Sequence, residues 1–311
     1  MIRFPLRAAG LAFCLLLLLR AETARALDVF ACEPEWAALA QELGGNIVTA
    51  SSATTARQDP HQVQARPSLI ARLRSADLVV CTGAELEIGW LPVLLRQAAN
   101  SRVQPGSPGY FEAATQVRLL EAPAQLDRAM GDVHAAGNPH IQTDPRNIAT
   151  VAAALSARMQ QLDPANAAAI AAYSQNFAAR WAAATQRWTT QAAALRGTPI
   201  ATYHKYWVYL ENWLGLREMA TVEPKPGVPP GSQYLAQLVT ELPARGVRGV
   251  LYVAYEDPRA SEFVATRIGV PAVMLPGTVG GSERATDLFG LFDDTIDRLV
   301  RGLGGGARVQ Q

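Results

Sequence analysis

Histidine is scarce in this sequence, since 311 residues contain only four, together with three cysteines. Neither sign of charge is in excess, because 28 Lys and Arg residues face 27 Asp and Glu residues. A chain without a basic surplus lacks the attraction for phosphates on which nucleic-acid binding depends, so we expect no nucleic-acid partner. Beyond the first 26 residues, no apolar run approaches the length of a membrane span.

The first 26 residues have the pattern of a signal peptide. Arg3 and Arg7 precede an apolar run over residues 8–19, and Ala24-Arg25-Ala26 fits the small-x-small cleavage pattern. We expect the mature chain to begin at Leu27 and to be exported. Its formal charge is then −2 rather than +1, because four arginines and one glutamate are removed.

The rest of the chain alternates short apolar runs with helical patterns, over residues 27–100 and again over 199–303. This alternation favours parallel sheets with helices on both faces. Between them, apolar or aromatic residues recur at helical spacing after the Asp163-Pro164 break, at Ile170, Tyr173, Phe177, Trp181 and Trp188. A helix over residues 164–196 is too long for either small lobe alone, so it is predicted to be a shared spine.

The predicted fold class is therefore α/β, with two similar lobes, each a parallel sheet flanked by helices, joined by one long rigid helix. The predicted parts are a signal peptide at 1–26, an N-terminal lobe at 27–163, a linking helix at 164–196, a C-terminal lobe at 197–303 and a flexible tail at 304–311.

Two cysteines remain after export, and each ends a short strand-like run. Cys32 follows the run at 29–31 and Cys81 follows the run at 78–80. An even number of cysteines in an oxidising compartment favours a disulfide, provided that the two strands are neighbours. Two buried free thiols are the alternative.

Three of the four histidines lie in contexts typical of metal ligands. His61 and His140 each follow a proline, and His204 follows a predicted strand. Imidazole is the commonest zinc ligand, and three of them with one oxygen donor complete a tetrahedron. The intervals of 79 and 64 residues exclude a local zinc finger, so three distant loops must converge. Ligands of open α/β sheets bind beyond the carboxyl ends of the strands, which places the site between the lobes.

The fourth donor is expected to be an acid from the second lobe. Glu256 and Asp257 follow the buried strand at 249–254, whereas Glu283 and Asp287 lie in or just after a glycine-containing loop. Position alone does not choose among these four carboxylates.

Five segments, taken in order, resemble the motifs of the zinc/manganese solute-binding proteins of ABC importers. They are Asp59-Pro60-His61, Ala76 to Gly83, Asn138 to Pro145, Tyr203 to Leu210 and Glu223 to Pro230. The resemblance runs from about Leu27 to Leu303. It implies two lobes joined by a rigid helix, a periplasmic location and a metal held between the lobes by His61, His140, His204 and a carboxylate, best matched here by Asp287, with Glu256 as the alternative.

The resemblance also implies a function. The chain would capture Zn²⁺ and deliver it to an ABC transporter permease, acting as a monomer and not as an enzyme, and whether an accessory protein donates the metal stays open. Three imidazoles favour zinc over manganese, which prefers oxygen donors. The alternatives are a manganese or other divalent-metal binder of the same class and, less favoured, an exported zinc hydrolase.

The sequence departs from the family pattern at two places. Gln142 stands where an aromatic residue commonly follows the Pro-His motif, and the His-rich loop of many zinc members is nearly absent. Only His134, with Asp132, precedes His140 in that loop, and we expect His134 to be a solvated loop residue rather than a capture ligand. Metal affinity is expected to fall as imidazoles protonate near pH 6.

Overall fold

The computed structural model describes residues 26–123, 131 and 134–304. Residues 1–25 of the predicted signal peptide, residues 305–311 of the predicted tail and Asp132 lie outside the described residues. Within the described ranges, no helix combines the length and apolar character that crossing a membrane requires.

The first lobe contains a parallel sheet with the strand order β2-β1-β3-β4. Its strands are β1 (Leu27–Ala31), β2 (Val48–Ser52), β3 (Leu78–Cys81) and β4 (Tyr110–Glu112). Its helices are α1 (Pro34–Gly44), α2 (Pro67–Ser75) and α3 (Leu91–Ala98). Each helix has a proline in its first two positions, where the missing N–H costs no helical hydrogen bond. Apolar side chains cover both faces of the sheet, in two separate clusters.

Two further helices pack against each other, α4 (Pro145–Leu162) and α5 (Ala167–Gln191). The Asp163 side chain accepts a hydrogen bond from the Asn166 N–H and so fixes a 3-10 turn over Pro164–Asn166. The α-helix therefore begins at Ala167 rather than at the predicted residue 164, and it ends before a second 3-10 turn, Ala193–Leu195. Its 25 residues span about 37 Å.

The second lobe repeats the first, with a parallel sheet in the order β6-β5-β7-β8. Its strands are β5 (Pro199–Thr202), β6 (Arg217–Thr221), β7 (Val250–Val253) and β8 (Ala272–Leu275). Its helices are α6 (Val208–Leu214), α7 (Ser232–Glu241), α8 (Pro258–Ile268) and α9 (Leu288–Leu303). Neither α6 nor β6 was predicted from the sequence. The aromatic run after His204, which forms α6, has no clear helical period.

The long helix α5 joins the lobes through its aromatic side chains. Trp181 lies 5.0 Å from Phe289 and Trp188 lies 5.0 Å from Phe292, measured between ring centroids. The same helix contacts α1 of the first lobe, and one apolar cluster runs from the first sheet through α5 to the second sheet. The predicted two-lobe fold with one long joining helix is confirmed.

The predicted disulfide is also confirmed, between Cys32 and Cys81. Strands β1 and β3 are parallel neighbours, and their carboxyl ends bring the two Cα atoms to 4.8 Å. That separation lies in the range that a disulfide spans.

Candidate metal centre

His61 lies in the turn that follows β2, and a neighbouring carboxylate fixes its ring. Asp59 Oδ1 accepts one hydrogen bond from the His61 backbone N–H at 2.9 Å and is paired with His61 Nδ1 at 2.7 Å. Trp90 Nε1 donates to the Pro60 carbonyl at 2.8 Å and holds the turn against the first lobe. With Nδ1 on a carboxylate, Nε2 is the nitrogen left to bind a metal.

His140 lies at the floor of the cleft and is completely buried. Its backbone N–H donates to Asn138 Oδ1 at 3.0 Å, and its ring stacks on Tyr206 with 4.2 Å between centroids. Burial, followed by the charges of the neighbouring histidines, lowers the pKa of His140 well below its usual value. The ring is therefore neutral at physiological pH, which is the form that binds a metal.

His204 follows β5 and belongs to the second lobe. Its Nδ1 is paired with Glu223, which follows the neighbouring strand β6. The Glu223 backbone N–H donates to the Tyr203 carbonyl at 3.1 Å, so strand pairing itself places the acid beside the imidazole. The Glu223 side chain is only 6% exposed, whereas that of Asp59 is 39% exposed.

The three histidines converge between the lobes, with candidate ligand atoms that all lie within 4.8 Å of one another. The Nε2 atoms of His140 and His204 are 3.3 Å apart. Beside His61 and His204, the cleft above them is lined by Asp59, Gln62, Tyr203, Glu223, Gly227, Pro229, Tyr255 and Glu256. Three imidazole nitrogens at this spacing suit a Zn²⁺ ion, for which Zn–N bonds are about 2.0–2.1 Å long.

The structure does not bring Asp287 to the three histidines. Its Oδ1 accepts a hydrogen bond from the Gly290 N–H at 2.7 Å and caps α9. It lines a different groove, with Glu42, Tyr173 and Arg180. The physical reason is local, since an Asp at a helix N-cap satisfies an N–H group that has no helical partner. The preference for Asp287 as the fourth ligand therefore finds no support in the geometry.

The alternative acid, Glu256, does line the cleft, but its carboxylate is engaged by the backbone. Glu256 Oε2 accepts a hydrogen bond from the Val253 N–H at 2.7 Å. Burial raises the pKa of Glu256 well above its usual value, and the nearby Glu223 and Asp59 raise it further. A metal would therefore have to compete with the Val253 N–H for this oxygen.

Sequence reasoning missed three side chains at this centre. Asp59 and Glu223 orient the rings of His61 and His204, and an acid two residues before a Pro-His histidine was the available signal for Asp59. His134, expected to be a solvated loop residue, is only partly exposed, with its Nε2 3.3 Å from His61 Nε2. No sequence pattern indicated that this loop folds back on the cleft.

A second group of acids lies apart from the histidines, inside the first lobe. Glu33, Glu35 and Glu87 are buried. Burial raises the pKa of Glu35 and of Glu87 to about 7. The Thr278 hydroxyl, from the loop after β8, donates to the Glu35 carboxylate and so connects the two lobes. Glu87 also lies near Cys32 and Cys81, but a disulfide offers no thiolate to a metal.

Two α/β lobes braced by one long helix, with imidazoles meeting between them, define the class of metal-binding solute-binding proteins. The family model described as zinc-uptake complex component A, periplasmic, matches residues 29–302. The chain therefore belongs to this family of periplasmic, solute-binding transport components.

Individual relatives agree with this family. The high-affinity zinc uptake system protein ZnuA of Yersinia pestis is 27% identical over 199 residues, which are 59% of this chain and 61% of that protein. The chain thus matches about three fifths of that relative's length. The protein of the same name from Paracoccus denitrificans is 24% identical over 306 residues, covering 87% of each chain.

A solved structure shares the fold. The solute-binding protein FpvC from Pseudomonas aeruginosa, in complex with Mn²⁺, superposes with a TM-score of 0.75 at 22% identity. The match covers 91% of this chain and 100% of FpvC. At this identity the likeness concerns the fold and leaves the choice of metal to the chemistry of the site.

Proposed function

We propose that this protein captures Zn²⁺ in the periplasm through His61, His140 and His204 and delivers it to the permease of an ABC importer. The metal is the cargo and not a resident cofactor. On docking, the permease would draw the lobes or loops apart enough to break the imidazole contacts and release the ion.

The observation that carries this proposal is the convergence of three imidazoles from three distant loops on one point between the lobes. Two of the rings are held by carboxylates at Nδ1, and the third is buried and stacked on Tyr206. Carboxylates in that position fix the ring and raise the basicity of the coordinating nitrogen. Imidazole rings that are preorganised in this way suit tight and reversible metal binding.

The family description and the relatives' names support zinc. The second candidate cargo is Mn²⁺, which the complex of FpvC favours. A site built of imidazoles favours Zn²⁺, because Mn²⁺ prefers oxygen ligands and stands lower in the general order of divalent affinities. We therefore propose Zn²⁺ as the physiological ion.

The test is metal analysis and competitive Zn²⁺ titration of residues 27–311, with Mn²⁺ titrated in parallel. We expect one tightly held Zn²⁺ per chain. The variants His61→Ala, His140→Ala and His204→Ala should each weaken binding by more than about 100-fold, since a lost ligand costs more than a lost orienting partner.

The matched control is Asp287→Ala, which should leave the affinity unchanged because its side chain faces another groove. Absence of stoichiometric metal, or equal affinity of the histidine variants and the parent, would refute the proposed capture function. Tighter binding of Mn²⁺ than of Zn²⁺ would instead identify Mn²⁺ as the captured ion.

A further inference from the structure

The ring of His140 lacks the support that the other two ligand histidines have. His61 and His204 each pair Nδ1 with a carboxylate. Within the described residues, His140 Nδ1 is buried and has no hydrogen-bond partner. The backbone bond to Asn138 fixes the main chain but not the ring, since the χ2 torsion of histidine has only broad preferences. The orientation of this ring must therefore come from packing.

The packing partner is Tyr206, in the turn between β5 and α6. Its ring stacks on the His140 imidazole with 28° between the planes and 4.2 Å between the centroids. Both side chains are buried. A flat neighbour at this distance in a close-packed interior prevents the imidazole from turning, because turning would drive the ring edge into the phenol. The stack thus fixes the direction of His140 Nε2, which lies 3.3 Å from His204 Nε2.

The hydroxyl of Tyr206 makes two hydrogen bonds, neither of them to a ligand histidine. It accepts from Gln142 Nε2 at 2.9 Å and donates to the Gly277 carbonyl at 3.2 Å. A hydroxyl has a single proton to donate, and the bond to Gly277 uses it. Tyr206 therefore supports the site through its ring, and its oxygen is engaged elsewhere.

A glycine at residue 277 makes the contact with the phenol possible. Gly277 has a backbone φ of 73°, in the left-handed region that glycine adopts at little cost. A Cβ atom there would lie 2.2 Å from Val253 Cγ2 and 3.3 Å from the Tyr206 hydroxyl. Any side chain at this position would press on both neighbours, so the loop after β8 is shaped to receive Tyr206.

Gln142 holds the phenol from the other side. This residue stands where an aromatic residue commonly follows the Pro-His motif. Its Nε2 donates to Tyr206, whereas its Oε1 is buried without a hydrogen-bond partner in the part of the chain that the structure describes. A buried amide with an unpaired oxygen costs stability. Its presence here points to a role for the half of the amide that is bonded.

We propose that Tyr206 is the positioning residue of His140 and that Gln142 holds Tyr206 in its stacked position. The inference rests on the proposed function and assigns the support of its third ligand. Tyr206 lies two residues after His204, so one turn of the second lobe carries one ligand and orients another. Gln142 and His140 precede α4, on the other side of the cleft. The orientation of His140 therefore depends on contact between the two lobes.

The first experiment removes the stacked ring. Tyr206→Leu should weaken Zn²⁺ binding by about 10- to 100-fold, the range typical of lost supporting partners. It should also change the absorption spectrum of the Co²⁺-loaded protein, which reports the geometry of the ligands. Tyr206→Phe keeps the ring and should recover most of the affinity. The matched control is Trp213→Leu, which removes a buried ring of α6 that bonds to Thr189 and should leave affinity and spectrum unchanged.

The second experiment tests the pair through the bond that its members share. Gln142→Leu and Tyr206→Phe should each weaken Zn²⁺ binding by about three- to tenfold, and the double variant should lose no more than either single variant, because all three lack the same hydrogen bond. Both changes nearly preserve side-chain volume, so this cycle tests the inference even if Tyr206→Leu does not fold.

The outcomes separate this inference from the proposed function. Tight Zn²⁺ binding by the parent, with equal affinity and an equal Co²⁺ spectrum in Tyr206→Leu, would overturn the positioning role and leave zinc capture standing. Equal losses of affinity in Tyr206→Leu and Trp213→Leu would overturn it as well. Additive losses in the double variant would overturn the coupling of Gln142 to Tyr206. No Zn²⁺ binding by the parent would overturn both the inference and the proposed function.

Discussion

The two lobes share one sheet topology, but equivalent positions in the two sheets carry side chains with different roles at the metal centre. In both sheets the strand order is second, first, third, fourth, and all pairings are parallel. In the first lobe, the loop after the edge strand β2 supplies the ligand His61. In the second lobe, the segment after the matching edge strand β6 supplies Glu223, which orients a histidine from the neighbouring strand β5.

The shared topology places one side chain after the edge strand of each sheet. The residue type at that position decides whether the side chain binds the metal or orients a neighbouring ligand. His61 and its carboxylate are two residues apart in one turn, and the carboxylate of Asp59 is 39% exposed. His204 and its carboxylate are 19 residues apart and are held by strand pairing in a buried place. The second lobe therefore presents a fixed ligand, and the first presents one that depends on its loop.

The largest expected effect concerns the disulfide, which lies in the first lobe. The double variant Cys32→Ala/Cys81→Ala should lower the free energy of unfolding by about 2–4 kcal/mol, because the unfolded chain loses a constraint over 49 residues. Urea unfolding of the metal-free protein measures the change. Reduction should destabilise the parent and not the double variant. Equal stabilities of the oxidised parent and the double variant would show that the disulfide does not stabilise the first lobe.

The next prediction compares the two orienting acids. Glu223→Ala should weaken Zn²⁺ binding by about 100-fold and Asp59→Ala by about tenfold, because orienting carboxylates of metal-bound histidines contribute within this range and the buried one is less readily replaced by water. Competitive Zn²⁺ titration compares the two variants directly. A larger loss of Zn²⁺ affinity in Asp59→Ala than in Glu223→Ala would show that His61, and not His204, depends more on its orienting acid.

A third, smaller effect is a dependence on pH that belongs to the acids of the first lobe. The folded-state pKa of Glu35 is raised to about 7 by burial, so its protonated form favours folding. This contribution is fully present below about pH 4.5 and is lost as the pH rises through 7. Relative to Glu35→Gln, the metal-free parent should lose roughly 2–3 kcal/mol of stability between pH 5 and 8.

Urea unfolding at several pH values measures this difference between the parent and Glu35→Gln. His140 contributes with the opposite sign, because its pKa is lowered by burial, but it is common to both proteins and cancels. The glutamine can still accept the Thr278 hydrogen bond, so contact between the lobes is kept. A difference in stability that does not change with pH would contradict the assignment.

The smallest expected effect concerns the cap of α9 in the second lobe. Asp287→Ala should lower the free energy of unfolding by about 1 kcal/mol through the lost hydrogen bond to the Gly290 N–H, and Asp287→Ser should retain most of the stability. Thermal unfolding measures both variants. Weaker zinc binding by Asp287→Ala at unchanged stability would show that Asp287 contributes to the metal centre.

The fold was largely predictable because its signals are local and periodic. The alternation of apolar runs with helical patterns indicated both parallel sheets, and the aromatic spacing from Phe177 to Trp188 indicated the long helix. The beginning of that helix was placed three residues early, since the hydrogen bond from Asn166 to Asp163 selects a 3-10 turn at the same proline. Periodicity cannot distinguish these two kinds of turn.

The metal centre was predictable only in part. Proline-flanked and strand-end positions identified His61, His140 and His204, which the structure brings together. The choice of Asp287 followed from the resemblance to the family motifs, and its capping bond to Gly290 became visible only in three dimensions. The segment that carries His134 makes a long-range hydrogen bond from Ala135 to Glu85, which are 50 residues apart. No local sequence pattern predicts such a contact, so the position of His134 was not predicted.

The aromatic packing of α5 has a consequence for how this molecule melts. Trp181 and Trp188 share one apolar cluster with Phe292 of the second lobe and with the first sheet. Neither lobe can unfold alone without breaking contacts in this shared cluster. Loss of either lobe would expose the other's interior. We therefore expect the two lobes to unfold together, and a metal bound between them to raise the melting temperature of both.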